Sequence, residues 1–497
     1  MALLGGLDLA YVAGMTIRNL VLVLGDQLDD ESAAFDGFDA SQDRVWMAEV
    51  DAEIGRSHKK RIVFFLSAMR HFADELRERD WTVEYRRLSE APDFRTALAE
   101  DIDRLNPKKL VVVLPGDHRV LEELRTVAKE HQRVLEVRRD RHFYTTPEEF
   151  DAWADGKKEL VLEFFYRKMR KDLGVLMEGT KPEGGQWNFD QDNRASFGKD
   201  GPPDDYEPHP QFSADAITSE VMEEVEARYP DNPGWCEGQL LPVTRAGARA
   251  HLDWFLEHGL PDFGKYQDAM AKGDVVLHHS RFSALLNVKL LDPRACVDGA
   301  VGALRRGAAP MNSVEGFVRQ ILGWREFIRG IYWRFMPNYA DKNALGCRRE
   351  DVPQFFWDGE TDMACVADAM KGLLELGYAH HIHRLMVLGL FAQLADVHPY
   401  AFHRWHMDMY IDAVDWVSLP NTLGMSQYGD GGIVGTKPSV GPGKYIQRMG
   451  PYCKSCRYDP KKAASDDACP FTTLYWDFLA RHKEKLSDNQ RIALHLR

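Results

Sequence analysis

NLVLVLGDQL, residues 19–28, is the stretch on which the fold turns. The apolar run Asn19 to Leu24 is short, and Gly25-Asp26-Gln27 ends it with a turn and an acid able to cap a following helix. Similar short apolar runs recur at 45–50, 61–66, 83–85, 110–114 and 134–137, with helix-spaced polar stretches at 68–79 and 93–105. Strand, helix, strand at this rhythm predicts an open parallel sheet. Asp26 and Gln27 then stand just past the first strand, where open α/β sheets bind ligands. A plain capping turn explains them equally well. The sequence has neither GxGxxG nor GxxxxGK[ST], so it shows no dinucleotide fingerprint and no P-loop.

Downstream, the spacing predicts a helix over 159–176 and an irregular connector over 178–212, rich in Gly, Pro, Asp and Asn and pinned by Trp187 and Phe189. From Thr244 onward the helical period dominates, at 245–259, 280–289, 293–306, 313–335, 365–377, 383–394, 401–417 and 469–482. Ser313 is the expected N-cap of its helix, and Pro470 sits in the first turn of the last one. The expected fold is therefore an N-terminal α/β domain with a parallel sheet, followed by an all-α domain. The boundaries are an extension at 1–16, the α/β domain at 17–150, the connector at 151–240 and the helical domain at 241–497.

Composition narrows the class. No run of 18 apolar residues exists, so no membrane span is expected. Met1 to Gly14 lacks a cationic region, which argues against a signal peptide. Seven scattered cysteines point to a reducing compartment. A formal net charge of −14 argues mildly against a protein coated by nucleic acid, but leaves room for one basic groove.

Cys453 and Cys456 form CxxC, and Cys469 follows thirteen residues later. Two thiolates at that spacing grip one metal from a single turn. Zinc completed by His or Cys, or an iron–sulfur cluster with a distant fourth cysteine, both fit. Cys236, Cys296, Cys347 and Cys365 are the candidates for that fourth place, and ordinary free thiols are the bland alternative. Segment 317–333 interleaves Arg319, Arg325 and Arg329 with five aromatics, as a packing helix or as a phosphate-reaching one. Tyr378-Ala379-His380-His381-Ile382-His383-Arg384 is denser, and suits either zinc or proton transfer. Asp412 is a natural partner for Arg384, because buried charges need one.

Taken together, several motifs resemble the photolyase/cryptochrome superfamily, most closely its bacterial iron–sulfur branch of (6-4) photolyases and related cryptochromes. They are LVLGDQL (22–28), FFLSAMRHF (64–72), EFFYRKMR (163–170), GGQWNFDQDNR (184–194), EGFVRQILGWREFIRGIYW (315–333), YAHHIHRLM (378–386), LPNTLGMSQYGDGG (419–432) and YCKSCRYDPK (452–461). The resemblance implies an antenna domain, a connector and a helical domain holding FAD. It implies that Cys365, Cys453, Cys456 and Cys469 bind a [4Fe-4S] cluster, which selects Cys365 as the fourth ligand. It implies a 6,7-dimethyl-8-ribityllumazine antenna, with Asp26, Gln27 and Glu49 as candidate contacts. Tyr266, His279, Ser280, Ser283, Gln320, Arg325, Arg384, Asp412 and Asn421 map to the flavin pocket. His380 and His381 match the histidine pair at the lesion, with His380 favoured as acid. Trp405 and Trp357 match the aromatics that photoreduce the flavin. His406 departs from the pattern, which puts the outer electron route in doubt. The chain ends soon after Arg491-Ile492-Ala493, earlier than some relatives, implying a missing C-terminal tail.

The implied activity is light-driven repair of (6-4) photoproducts by an electron from excited FADH⁻. The implied partner is UV-damaged DNA, with Lys437, Lys444, Arg448, Lys454 and Arg457 as a basic stretch beside the cluster. A monomer in the bacterial cytoplasm, associated with the nucleoid, is expected. The alternatives are a blue-light receptor that signals without repair, and a zinc-stabilised nucleic-acid-binding protein.

Overall fold

The computed structural model describes residues 17–198, 201–202, 207–487, 489 and 491–492. The expected extension at 1–16 and residues 493–497 lie outside them. Five parallel strands, β1 (Asn19–Leu22), β2 (Arg44–Ala48), β3 (Val83–Arg86), β4 (Lys109–Val113) and β5 (Val134–Arg138), form one sheet in the order β3-β2-β1-β4-β5. Leu20 pairs with Arg44 on one side and Leu110 on the other, so the strand order reverses between β1 and β4. Loops at the carboxyl ends of these two strands leave a crevice.

One apolar run is not a strand. Residues 61–66 belong to α1 (Lys59–Arg77), capped where His58 Nδ1 accepts the Lys60 N–H at 3.1 Å. Ile62, Leu66, Met69, Phe72 and Leu76 recur at three- and four-residue steps and are all buried, so the helical period outweighs the strand-like run. The helices α2 (Phe94–Leu105) and α3 (His118–Glu130) complete the crossovers.

The remainder is helical apart from the two-residue strands Met177–Glu178 and Lys181–Pro182 and isolated bridges, among the described residues. The helix expected from Ser313 begins at Met311 after Pro310. Ser313 is buried inside it, its hydroxyl accepting the Gly264 N–H at 2.9 Å and donating to the Pro261 carbonyl at 3.1 Å. The expected 280–289 helix shrinks to Phe282–Asn287, because Arg281 adopts a left-handed backbone. The 401–417 helix divides into Pro399–Met409 and Asp415–Leu419. Among the described residues, four π-helical segments occur, Phe255–Gly259, Arg319–Arg325, Arg384–Gly389 and Pro420–Ser426. Such segments displace side chains from the regular helical register and recur at functional sites. They pack closely: a Cβ on Gly389 would lie 2.2 Å from Ser426 Oγ.

The largest core is shared, running from Val23 and Phe72 through Phe150 and Phe255 to Ile321 and Trp416. A second core joins Phe356, Val366, Leu388, Trp405 and Phe478.

Candidate functional site

The last three of these π-helical segments wall two adjoining cavities of about 260 and 440 Å³, both bordered by His279, Ser283, Trp324, Tyr378 and His381. Of the residues mapped to the flavin pocket, His279, Ser280, Ser283, Gln320, Arg325, Arg384, Asp412 and Asn421 line this space. Tyr266 does not; it stacks on Phe197 at 4.7 Å and on His278 at 5.5 Å. Asn421 has its amide orientation dictated, since Trp324 Nε1 donates to its Oδ1 at 2.9 Å while its Nδ2 donates to the Val417 carbonyl at 2.8 Å. Several polar atoms around this region have no protein partner, among them Ser418 Oγ, Tyr410 OH and Arg325 Nε.

Arg384 and Asp412 pair as the residue types suggested. Nη1 and Nη2 meet the two carboxylate oxygens at 3.0 and 2.9 Å, and Ser283 Oγ also donates to Asp412. The guanidinium lies over the Tyr410 ring at 4.1 Å. Burial alone would raise the Asp412 carboxyl, but Arg384 and Ser283 more than offset it and hold it below its ordinary value.

The paired histidines separate. His381 is accessible from the cavity and lines both parts of it. His380 is fully buried behind the wall, stacked on His279 at 4.6 Å and 4.1 Å from the His383 ring. Burial and then Arg384 lower His381 to about 4, and burial drives His380 well below its ordinary value. Among the described residues, neither His380 nor His383 belongs to a group of three metal-capable atoms, although His380 Nε2 and His383 Nδ1 have no protein partner. His383 Nε2 is engaged with the Tyr452 hydroxyl at 2.8 Å, and His380 Nδ1 accepts the Ile382 N–H at 3.3 Å.

Trp405 is buried, donates from Nε1 to the Phe356 carbonyl at 2.9 Å and stacks at 5.4 Å on Phe402, which lines the cavity. Trp357 follows Phe356 in the chain and lies under the Arg56 guanidinium at 3.8 Å. His406 is on the cavity wall, stacked on Tyr410 at 4.2 Å.

The crevice at β1 and β4 opens into a separate cavity of about 380 Å³. Asp26 and Glu49 border it, with Asp117, Asp408 and Asp415. Glu49 is engaged by the protein, taking Arg70 at 2.7 and 3.0 Å, the Tyr85 hydroxyl at 2.7 Å and the Leu88 N–H at 3.2 Å. Gln27 is not in the lining; its amide donates to the Val113 carbonyl at 3.2 Å and holds the end of β4. Gly116 keeps the floor open, since a Cβ there would come 2.3 Å from Asp26 Oδ2 and 3.0 Å from the Trp416 ring. Burial raises Asp26, and burial with neighbouring Asp415 raises Asp117 to about 6.

Four thiols converge from three segments. Cys365 opens the helix Ala364–Leu376, Cys453 and Cys456 sit in the 452–456 turn, and Cys469 caps Pro470–Arg481. Burial raises Cys365, and the charges of Cys469, Cys453 and Cys456 raise it further. Burial, then Cys469, Cys456 and Asp459, push Cys453 up to about 11. Gly443 cradles Cys469, as a Cβ there would lie 2.8 Å from its Sγ. Among the described residues, only Cys347, Asp396 and His482 bring three metal-capable atoms within 4.8 Å of one another; no three of the four thiols do. Asp396 already pairs with Arg481 at 2.9 Å and Arg348 at 3.3 Å. Lys437, Lys444, Arg448, Lys454 and Arg457 are exposed nearby, Arg457 pairing with Asp362 at 2.7 Å.

Trp324, Asn287, Phe402, Thr422 and Met425 also line the main cavity and escaped the sequence reading. Trp324 stood in a quoted aromatic helix, but only the π-helical register turns it inward.

The family model for deoxyribodipyrimidine photo-lyase-related protein matches residues 21–240. A "(6-4) photolyase" from Agrobacterium fabrum is 47% identical over 484 residues, covering 96% of this chain and 94% of that protein. Among solved structures, a bacterial class III photolyase from Agrobacterium tumefaciens superposes with a TM-score of 0.60 at 14% identity, over 96% of this chain and 99% of that one. A Synechocystis cryptochrome gives 0.55 at 14% identity, over 94% of each chain. At that identity the two structures speak for the fold.

Proposed function

The chain belongs to the photolyase-related family of the (6-4) photolyases, and from that membership we propose that it repairs (6-4) photoproducts in DNA by light-driven electron transfer. The observation that carries this reading is the near-full-length 47% identity to the Agrobacterium (6-4) photolyase. The cavity supports it, being walled by Arg384-Asp412 and by His381.

The cavity residues fit FAD. The two spaces together suit a folded dinucleotide, and polar atoms without protein partners surround them. Bound there, reduced FAD would supply the excited electron that opens the lesion. The protein's part is to hold and exclude. Gln320, Arg325, Ser280 and Ser283 give polar contacts, and Arg384, fixed by Asp412, gives a positioned cation. A lesion is already poorly stacked, so flipping it out of the duplex costs less than flipping an ordinary base. His381, accessible in the cavity, can then deliver a proton to the migrating hydroxyl. His380, behind the wall, packs the acid's neighbour His279. Phe402, Trp405 and Trp357 lead outward as a path for flavin photoreduction. Exposed basic residues near the cluster loop would contact phosphates, which position the duplex without reading sequence.

The crevice cavity fits a flat, hydroxylated antenna such as 6,7-dimethyl-8-ribityllumazine, with Asp26 as the available polar contact. The four thiols fit a [4Fe-4S] cluster better than one zinc ion. A tetrahedral ion with Zn–S bonds of about 2.3 Å sets its sulfurs only ~3.8 Å apart, whereas a cluster spreads its ligands over four irons. The cluster would tie the Ala364–Leu376 helix to the C-terminal turn and helix, since ligand binding and folding are coupled. We therefore expect Cys453→Ala to lose its iron and to melt at least about 5 °C lower, as ~2 kcal/mol does in a domain of this size. Iron assay and calorimetry check this; a soluble, iron-free variant with unchanged melting would remove the staple role. We place the protein in the bacterial cytoplasm with the nucleoid, acting as a monomer.

The decisive experiment illuminates the reduced protein with an oligonucleotide holding one (6-4) photoproduct. Restored pyrimidines are expected. An unchanged lesion alongside normal flavin photoreduction would make the protein a light receptor instead.

A further inference from the structure

His279 has both ring nitrogens on backbone carbonyls. Nδ1 is 3.0 Å from the Val276 oxygen and Nε2 is 3.0 Å from the Gln267 oxygen. A carbonyl oxygen only accepts, so each contact asks the ring to donate. A neutral imidazole has one N–H; the imidazolium has two. The neutral ring therefore sets one nitrogen lone pair against an oxygen lone pair at 3.0 Å, and only the cation satisfies the site. The ring also borders both parts of the main cavity.

We propose that His279 is a half-buried protonation site coupled to anion binding, so that a dinucleotide diphosphate entering the cavity is taken up together with one proton. The proton comes from solvent to the ring nitrogen that lacks one, and no bond in the ligand changes. The two carbonyls then hold the imidazolium in place, and its charge faces the anion. This rests on the cavity being the dinucleotide site.

The surroundings explain why the ring needs the anion. The titratable groups nearest it are His380, with its plane 7° from parallel at 4.6 Å, His381 and His383 from the same segment, His278 beside it in sequence, and His209 from the connector, while Asp190, Asp268, Arg281, Arg319 and Arg325 line the same part of the cavity. Arg384, next along the His380 segment, is engaged with Asp412. Burial is the largest influence and pulls the ring down to about 4; the two carbonyls oppose it and His381 and His278 add to it. An anion in the cavity reverses the balance. A cation at His279 also keeps the stacked His380 neutral, which leaves His381 as the group free to move a proton.

The test uses the full-length protein and FAD. Dissociation is followed by flavin fluorescence from pH 6 to 9, and proton uptake by calorimetric titration of FAD in two buffers of different ionisation enthalpy. Where the free ring is neutral and the bound ring protonated, Kd should rise by up to about tenfold per pH unit, with close to one proton taken up. His279→Asn, which cannot protonate, should bind with the same Kd across that range. FAD bound by the wild-type chain with no proton uptake and a flat pH dependence would overturn the proposal without needing the variant. Failure to bind FAD at any pH would overturn the dinucleotide reading itself, and this inference with it.

Discussion

Arg384→Met is expected to remove about 3–5 kcal/mol of stability, the range found when one partner of a buried ion pair is deleted. The substitution keeps the length of the side chain and its contact with the Tyr410 ring, so packing loss is small. What remains is the Asp412 carboxylate, 5% exposed, with Ser283 as its one remaining side-chain partner. At 2–4 °C per kcal/mol, melting should fall by roughly 10 °C, with loss of flavin. Deleting both charges as Arg384→Met/Asp412→Leu should recover part of that stability, because no unpaired charge is left. A double variant no better than the single one would show that Arg384 acts through something other than the pair. The pH dependence has a definite sign. Asp412 titrates below its ordinary value in the folded chain, so its stabilisation is complete at neutral pH and is lost as pH falls through the folded value. Calorimetry from pH 7 down to 2 should show the wild type keeping its advantage over the double variant to about pH 4 and losing it below that.

Much of the fold was legible because its signals were local. Five of the six short apolar runs are strands, and their spacing already implied parallel crossovers. The sixth, 61–66, contains Ile, Val and two Phe in a row; only the continuation to Met69, Phe72 and Leu76 reveals a helix. The Arg384-Asp412 pair was legible because a buried charge demands a partner. The cysteine spacing suggested a metal site but could not say its kind, since ligand separation is a property of three dimensions. The cavity wall was less legible. Side-chain direction there depends on π-helical segments that no residue pattern announces, which is why Trp324 and Met425 were missed. Adjacent residues were hardest to sort. Glu49 lies at the crevice cavity but is engaged by Arg70, and Gln27 turns to β4; their side-chain directions were not visible in the sequence. His380 and His381 are one peptide apart, yet one stacks on His279 behind the wall and the other faces the cavity.

That difference sets the largest expected effect on chemistry. His381→Asn should slow (6-4) repair by about 10²–10⁴-fold, the usual contribution of a positioned general acid, while flavin stays bound and photoreducible. His380→Asn should act differently, since His380 reaches the cavity only through its stacking on His279. It should lower melting and flavin affinity more than it lowers the repair rate of the flavin-loaded fraction. The pH profile separates an acid from a prop. Burial and Arg384 hold His381 near 4, so at neutral pH its protonated form is scarce and grows as pH falls. Wild-type repair per photon should therefore rise as pH is lowered from 8 to 6, and the His381→Asn residual rate should be flat over the same range. If His381→Asn repairs normally and His380→Asn does not, the proton must come through the stacked pair behind the wall, and the accessible ring would be a lesion contact only. If both repair normally, neither histidine is the acid, and the proton would have to reach the lesion from another group of the cavity wall.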